Sequence, residues 1–337
     1  MIAVERLVKN KSPFMSTSLL RFLPFFILFF ACSRKMHSPK QALDNHSNES
    51  TGIEQPFINS EEKPQSLMQL PQTQDGGFVL APGFYEGEFK SYCLQPGTPD
   101  PRQGDAYLQS AMTGYRKEIV ETVLLNSRSR TELDQRNIQL LLWSVVSGSD
   151  FNRLSYAVQN DARKLLSPKQ IFELQGGVLG LIKTVSNQTG LLNANNNIKN
   201  LFELGTSSYE TFERLAVLKE PSKITKTGVK YDTWYKQKEN YYIRYFPVSY
   251  QKLRIQIFVP DNLIDAEGKA NGEYLVFDPT GQQAIPAFTN AQRLGIGAPV
   301  IIDVVRKVIQ VKKATGTEKQ EKKKKETYPI KKEQPAT

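Results

Sequence analysis

The chain has 337 residues, a formal net charge of +10 at pH 7, 39% hydrophobic residues, two cysteines and two histidines. Five of the net positive charges lie in residues 312–337 and three in residues 1–31, so the body between them is nearly neutral and has no nucleic-acid-binding signature. His37 and His46 both precede the predicted folded part, which excludes histidine-based nucleophilic catalysis and histidine metal sites there. We therefore expect no metal and no cofactor.

Residues 1–31 have the pattern of a bacterial lipoprotein signal peptide. Basic residues precede an apolar run from Phe22 to Ala31, which is short for a membrane span. Cys32 follows directly, and the segment resembles signals after which the cysteine becomes the acylated first residue, for example with palmitate. The resemblance implies membrane attachment through lipid on Cys32, in the cell envelope and at the outer membrane of a Gram-negative bacterium. An ordinary cleaved signal or an uncleaved anchor is the alternative, and either Met1 or Met15 is the start.

Residues 32–75 are polar and mixed, which predicts a disordered tether, and residues 76–220 predict a mostly helical domain. That domain opens with a short strand pair over residues 78–94, which turns at Pro82-Gly83. Helices are predicted over 106–125, from the cap at Asp134 to Gly148, from Ser149 or Asp150 to Leu166, from Pro168 onward, and over 198–218, with a loop at 193–197.

Residues 221–311 are rich in aromatic and β-branched residues with period-two alternation, which predicts a small antiparallel β domain. Leu253, Ile255, Ile257 and Val259 are expected on one face of a strand. Residues 312–337 form a Lys-rich segment that we expect to be disordered. The predicted fold class is α+β: a mostly helical N-terminal domain with a short β element, followed by a small antiparallel β-sandwich-like domain.

Two further patterns each have a structural and a functional interpretation. One aromatic cluster is expected to be either core or a ligand platform: Trp234, Tyr235, Tyr241, Tyr242, Tyr245 and Phe246. Four carboxylates leave a carboxylate-pair hydrolase open, although their amphipathic or capping positions favour structural roles: Glu118, Glu121, Asp134 and Asp150. We therefore assign no catalytic residue and do not identify the chain as an enzyme.

Cys93 and Gln139 stand out from their surroundings. If Cys32 carries lipid, Cys93 has no partner for a disulfide within the chain. Gln139 is the polar residue of an apolar helical stretch, Ile138 to Trp143, and a buried amide costs a few kcal/mol unless its hydrogen bonds are met. The thiol is either a small core side chain, a redox or intermolecular-disulfide group, or a reactive group.

The segments Tyr92-Cys93-Leu94 and Ile138-Gln139-Leu140-Leu141-Leu142-Trp143 resemble the surface thioester domains of bacterial adhesins, over roughly residues 78–148. In that family a cysteine thiol and a glutamine side chain condense, with loss of ammonia, to an internal thioester. The resemblance implies a thioester between Cys93 and Gln139 in a pocket formed by Tyr92, Leu141 and Trp143. The chain departs from the family pattern at Leu141, which stands where the family has alanine.

Two functions follow from these patterns. The first is a lipid-anchored adhesion or cross-linking module that captures a target amine or hydroxyl through the Cys93–Gln139 thioester. The second is a non-covalent envelope lipoprotein that binds a protein or cell-wall glycan through its β domain, with Cys93 and Gln139 purely structural. Under either function the partner is a surface protein or a glycan rather than nucleic acid, and the oligomeric state stays open.

Overall fold

The structure is a computed structural model that describes residues 52–58, 62–176, 191–206, 208–225, 231–300 and 308–309. Within these ranges the strands are β1 (Gly52–Ile53), β2 (Gln65–Ser66), β3 (Gln72–Thr73), β4 (Phe78–Val79), β5 (Gly83–Cys93), β6 (Thr98–Pro99), β7 (Tyr107–Ser110), β8 (Val217–Leu218), β9 (Tyr235–Lys236), β10 (Tyr242–Ser249), β11 (Lys252–Val259), β12 (Val276–Phe277), β13 (Gln283–Pro286), β14 (Leu294–Pro299) and β15 (Val308–Ile309). The α-helices are α1 (Lys117–Ser127), α2 (Gln135–Ser147), α3 (Tyr156–Leu165), α4 (Pro168–Leu174), α5 (Leu191–Glu203) and α6 (Tyr209–Ala216).

Six of the strands form a closed antiparallel ring. Its order is β10–β11–β5–β14–β13–β7, and β7 pairs back to β10 through Tyr107 and Tyr245. Successive residues of β11 point to opposite faces of the sheet, and Leu253, Ile255 and Ile257 lie in the core, where none of the three is exposed. The prediction for this face of β11 is therefore confirmed.

The predicted fold class is wrong, because the helices do not form a separate N-terminal domain. β5 and β7 come from the part predicted as helical, and they complete the ring with strands from residues 242–299. β5 lies between β11 and β14, so the sheet runs across the expected boundary at residue 221. The described residues belong to a single compact unit. Local alternation revealed the strands after residue 221, but strand partners are set by contacts distant in sequence.

Two predicted elements in the first half also differ from the structure. The helix expected from residue 106 is the strand β7 followed by α1, because the Asp105 carboxylate does not cap a helix. It accepts hydrogen bonds from the Arg102 N–H and from the Ser222 and Thr289 hydroxyls instead. The loop expected at 193–197 is part of α5. Within the expected tether, β1, β2 and β3 are ordered and Leu67 is fully buried.

The helix α2 matches its sequence signals closely. Asp134 accepts a hydrogen bond from the Arg136 N–H at the start, and Gly148 ends the helix in the left-handed conformation, with φ 68°. The neighbouring helix α1 lies directly on β14. A Cβ atom on Gly295 would lie 2.9 Å from Cδ1 of Leu124, so a larger residue here would force the Leu124 side chain to shift. Both helices thereby pack near the end of β5.

Candidate functional site

Cys93 is the last residue of β5, at a point where the sheet opens on one side. β14 continues along one edge, where Leu294 is opposite Cys93. On the other edge β11 has already ended, since its first residue, Lys252, is opposite Lys90. The backbone N–H and C=O groups of Cys93 that face this edge therefore need partners from outside the sheet.

The side chain of Gln139 supplies both partners. Its Oε1 accepts a hydrogen bond from the Cys93 N–H at 2.8 Å, and its Nε2 donates to the Cys93 carbonyl at 2.9 Å. One helical turn earlier, Gln135 Nε2 donates to the carbonyls of Ser91 and Gln251 at 3.2 and 2.9 Å. Two glutamines on one face of α2 thus take the place of the missing strand.

The structure brings Cys93 and Gln139 together in a dry environment. Cys93 is fully buried and Gln139 is 1% exposed. Burial raises the pKa of the Cys93 thiol to about 12, partly offset by the Trp143 indole N–H and the Gln95 backbone N–H beside the sulfur. Trp143 Nε1 is buried and makes no hydrogen bond of good geometry among the described residues.

The other predicted pocket residues lie at different distances from the pair. Trp143 is four residues after Gln139 and shares its face of α2, where it stacks on Tyr209 with ring centroids 5.6 Å apart. Leu141 is buried, but residues two apart do not share a helix face, so it lies away from Gln139. Tyr92 points to the opposite face of β5 from Cys93, and its ring lies against Gly297.

The sequence patterns did not identify a polar chain next to this pocket. Tyr209 and Tyr250 have their hydroxyl oxygens 2.9 Å apart, and the Tyr250 hydroxyl donates to Glu213 at 2.5 Å. Gln251 Nε2 donates to both hydroxyl oxygens. Asp100 accepts a hydrogen bond from the Tyr250 N–H, and burial raises the pKa of its carboxyl. The sequence does indicate a turn at Tyr250-Gln251 between two strong β patterns, but no local pattern distinguishes its tyrosine from other turn residues.

The aromatic cluster and two of the four candidate carboxylates have structural roles. All six members of the aromatic cluster are buried, as expected of core residues rather than of an open ligand platform. Asp134 and Asp150 each accept a hydrogen bond from a backbone N–H two residues later, which makes them caps. No group of three or more His, Cys, Asp or Glu residues is arranged to hold a metal ion within the described ranges. The signal segment, Cys32 and the tail 312–337 lie outside those ranges.

Arg244 is the centre of a different polar cluster on the outer side of the sheet. Its guanidinium carbon lies 4.3 Å from the ring centroid of Trp234 and 5.1 Å from that of Phe246. Its Nε donates to Gln256 at 2.7 Å, and Gln256 donates to Glu86. This cluster is half-buried and charged, unlike the pocket at Cys93.

No protein-family model, curated protein or solved structure matches the chain. None of the helices in the described ranges is both long enough and apolar enough to cross a bilayer.

Proposed function

We propose that the chain is a lipid-anchored envelope protein that attaches covalently to a target through a thioester between Cys93 and Gln139. The observation that carries this proposal is the contact between the buried thiol residue and the buried carboxamide, which hold each other by two hydrogen bonds. The two residues are 46 positions apart in sequence, and the opening of the sheet at Cys93 explains why they meet.

One of the two hydrogen bonds would also assist condensation. The Cys93 N–H donates to Oε1, which polarises the carboxamide and stabilises negative charge on that oxygen when sulfur attacks the carbon. The Cys93 sulfur then bonds to Cδ of Gln139, the C–N bond breaks, and the nitrogen leaves as ammonia with the thiol proton. The N–H bond to the acyl oxygen survives this step, and only the Nε2 bond to the Cys93 carbonyl is lost.

Burial gives the thioester the protection that it needs. Water hydrolyses thioesters, and at this site both residues are almost fully excluded from solvent. A target amine or hydroxyl attacks Cδ of Gln139, the C–S bond breaks, and an amide or ester to the target remains. Tyr209 of α6 covers Trp143, so the approach of a target requires this helix or the loop after β5 to move.

Intact mass of the purified full-length chain tests the proposal. The difference between wild type and Gln139→Met should equal the substitution plus one ammonia, because the variant cannot condense. Cys93→Ala should likewise have the full mass of its sequence, without the loss of ammonia. Gln135→Met is the matched control, since Gln135 also donates a hydrogen bond to a β5 carbonyl, that of Ser91, one helical turn away from Gln139. A wild-type mass with no deficit, together with a Cys93 thiol that iodoacetamide labels once the protein is unfolded, would contradict the proposal.

A second candidate function is non-covalent binding of an envelope protein or glycan. The observation that favours it is that the Gln139 amide already satisfies the Cys93 backbone, so both residues have a structural use. Deleting residues 221–311 is not a usable test, because it would remove four strands of the ring. Pull-down with cell-wall material separates the two functions. Retention by Cys93→Ala, with no adduct stable to boiling in detergent for wild type, supports non-covalent binding.

The anchor has its own test. We expect radiolabelled palmitate to be incorporated into the wild-type chain in a bacterial host and not into Cys32→Ala. The same variant should move from the membrane fraction to the soluble fraction, because two or more acyl chains are needed for stable attachment.

A further inference from the structure

The hydrogen bonds of Tyr209, Tyr250 and Glu213 have a defined direction. A tyrosine has one hydroxyl proton, and that of Tyr250 is donated to Glu213. Tyr250 must therefore accept from Tyr209 across the 2.9 Å that separates their oxygens. Every donor in the chain thus points toward Glu213, which is only half-buried.

One acceptor position on the Tyr209 oxygen remains. A hydroxyl oxygen has two lone pairs, and Gln251 Nε2 occupies one of them at 3.2 Å. Burial raises the pKa of Tyr209 to about 12, and burial together with the Glu213 carboxylate raises that of Tyr250 still further. Both tyrosines therefore keep their protons.

Tyr209 lies near the proposed thioester, since Cys93 is, after burial, among the groups that raise the pKa of its hydroxyl. The Tyr209 ring stacks on Trp143, whose indole N–H lies beside the Cys93 sulfur. Four charged groups surround the chain: Asp100 accepts from the Tyr250 N–H, Arg102 and Lys219 act on Asp100, and Arg136 lies over the Tyr209 ring. Arg136 is paired with Glu210 at 3.2 Å. Glu213 has no cation within ion-pair distance in the ranges that the structure describes.

We propose that the Tyr209–Tyr250–Glu213 chain is the proton outlet for attack of a protonated amine on the thioester. This inference rests on the proposed thioester. A lysine amine arrives protonated and must lose a proton before its nitrogen can attack. No histidine lies among the described residues to receive that proton, so another group must do so. An ammonium carries a full positive charge, so a carboxylate with no other cation beside it attracts it more strongly than a neutral hydroxyl.

Each proton released during the reaction has a defined acceptor. The ammonium donates one proton to the Tyr209 oxygen, Tyr209 passes its own proton to Tyr250, and Tyr250 passes its proton to Glu213. The neutral nitrogen then bonds to Cδ of Gln139 as the C–S bond breaks. The second proton leaving nitrogen goes to the Cys93 sulfur, which becomes a thiol because its pKa is about 12. Glu213 finally releases its proton to water.

Two amine probes of the purified full-length chain test this inference. Dansylcadaverine is a protonated primary amine at neutral pH and needs the outlet, whereas hydroxylamine is largely unprotonated and does not. We expect Glu213→Gln to keep the mass deficit of one ammonia, to couple dansylcadaverine about 100-fold more slowly, and to react with hydroxylamine at the wild-type rate. Glu210→Gln is the matched control on the same helix and should leave both rates unchanged.

Tyr250→Phe gives a second break in the chain with little change of shape. It should show the same selective loss, and its melting temperature shows whether the fold is retained if Glu213→Gln does not fold. Variants that keep the mass deficit and couple dansylcadaverine as fast as wild type overturn the proton outlet and leave the thioester standing. Loss of coupling in Asp100→Asn alone also overturns it. Absence of the mass deficit in wild type overturns both proposals together.

Discussion

The pocket at Cys93 and the cluster at Arg244 satisfy buried polar groups by different chemistry. In the pocket, a neutral amide from α2 pairs with neutral backbone groups, and no ion pair is involved. On the outer side of the sheet, Arg244 keeps its charge between two aromatic rings and a glutamine. The difference follows from solvent exposure. A guanidinium is tolerated where part of it stays solvated, whereas a site without water favours uncharged partners.

Removal of the Gln139 amide should give the largest loss of stability. In a Cys93→Ala background, where no condensation is possible, Gln139→Met leaves the Cys93-position N–H and C=O buried and unpaired. We expect a loss of about 2–6 kcal/mol, at about 1–3 kcal/mol per backbone group. Urea unfolding measures it, with Gln135→Met as the control. An equal loss in the control would mean that the pocket is not drier than its surroundings.

The thiol form of the protein should lose stability in alkali. In Gln139→Met, Cys93 remains a thiol whose folded pKa is about 12, against 9.0 for the ordinary group. The unfolded state then loses its proton first, so stability is full below pH 9 and falls by about 1.4 kcal/mol per unit until pH 12. When the free energy of unfolding is measured against pH, it should fall less steeply for the double variant Cys93→Ala/Gln139→Met than for Gln139→Met alone. The remaining fall, above pH 10, belongs to buried tyrosines such as Tyr209.

The arginine cluster should respond more weakly. Arg244→Met keeps most of the stem that packs on Trp234 and Phe246, but loses the cation–π contacts and the bond to Gln256. We expect a loss of about 1–2 kcal/mol, because the guanidinium is only half-buried. Unlike the change at Gln139, this loss should shrink in high salt. A loss as large as that of Gln139→Met would contradict the proposed contrast.

An exposed ion pair on the same sheet should give the smallest change in stability among these variants. Lys252 Nζ lies 2.7 Å from Glu88 Oε2, and both side chains are more than a third exposed. Lys252→Ala should change the free energy of unfolding by no more than about 0.5 kcal/mol. A measurable change above that value would show that outer-face charges stabilise the sheet more than their exposure implies.

The sequence predicted local features far better than distant contacts. Asp134 and Gly148 bounded α2 correctly, because capping depends on neighbouring backbone groups. The polar residue Gln139 in an apolar helix correctly indicated a buried amide with a specific partner. Nothing local showed that β11 ends opposite Lys90, which is what exposes the Cys93 backbone to that amide.

The strand β5 was expected as half of a local strand pair and β7 as part of a helix, and both expectations failed for the same reason. Both precede or interrupt helical patterns, and their partners lie far along the chain in β10, β11, β13 and β14. Tyr250 and Glu213 were missed because a tyrosine in a turn and a glutamate on an amphipathic helix have no distinctive pattern. Only the hydrogen bond between them and the contact of Tyr250 with Tyr209 reveal them.

The closed ring also sets the order of events during biosynthesis. The Gln292 side chain donates to the Thr98 carbonyl across 194 residues, and closure of so long a loop is slow compared with helix formation. Helices α1 to α4 can form while the chain is still being made, but α1 has no strand beneath it until β14 has emerged from the ribosome. The wall of the pocket around Cys93 is therefore among the last parts to assemble. Condensation with Gln139, if it occurs only in that enclosed site, would serve as a chemical record that folding has been completed.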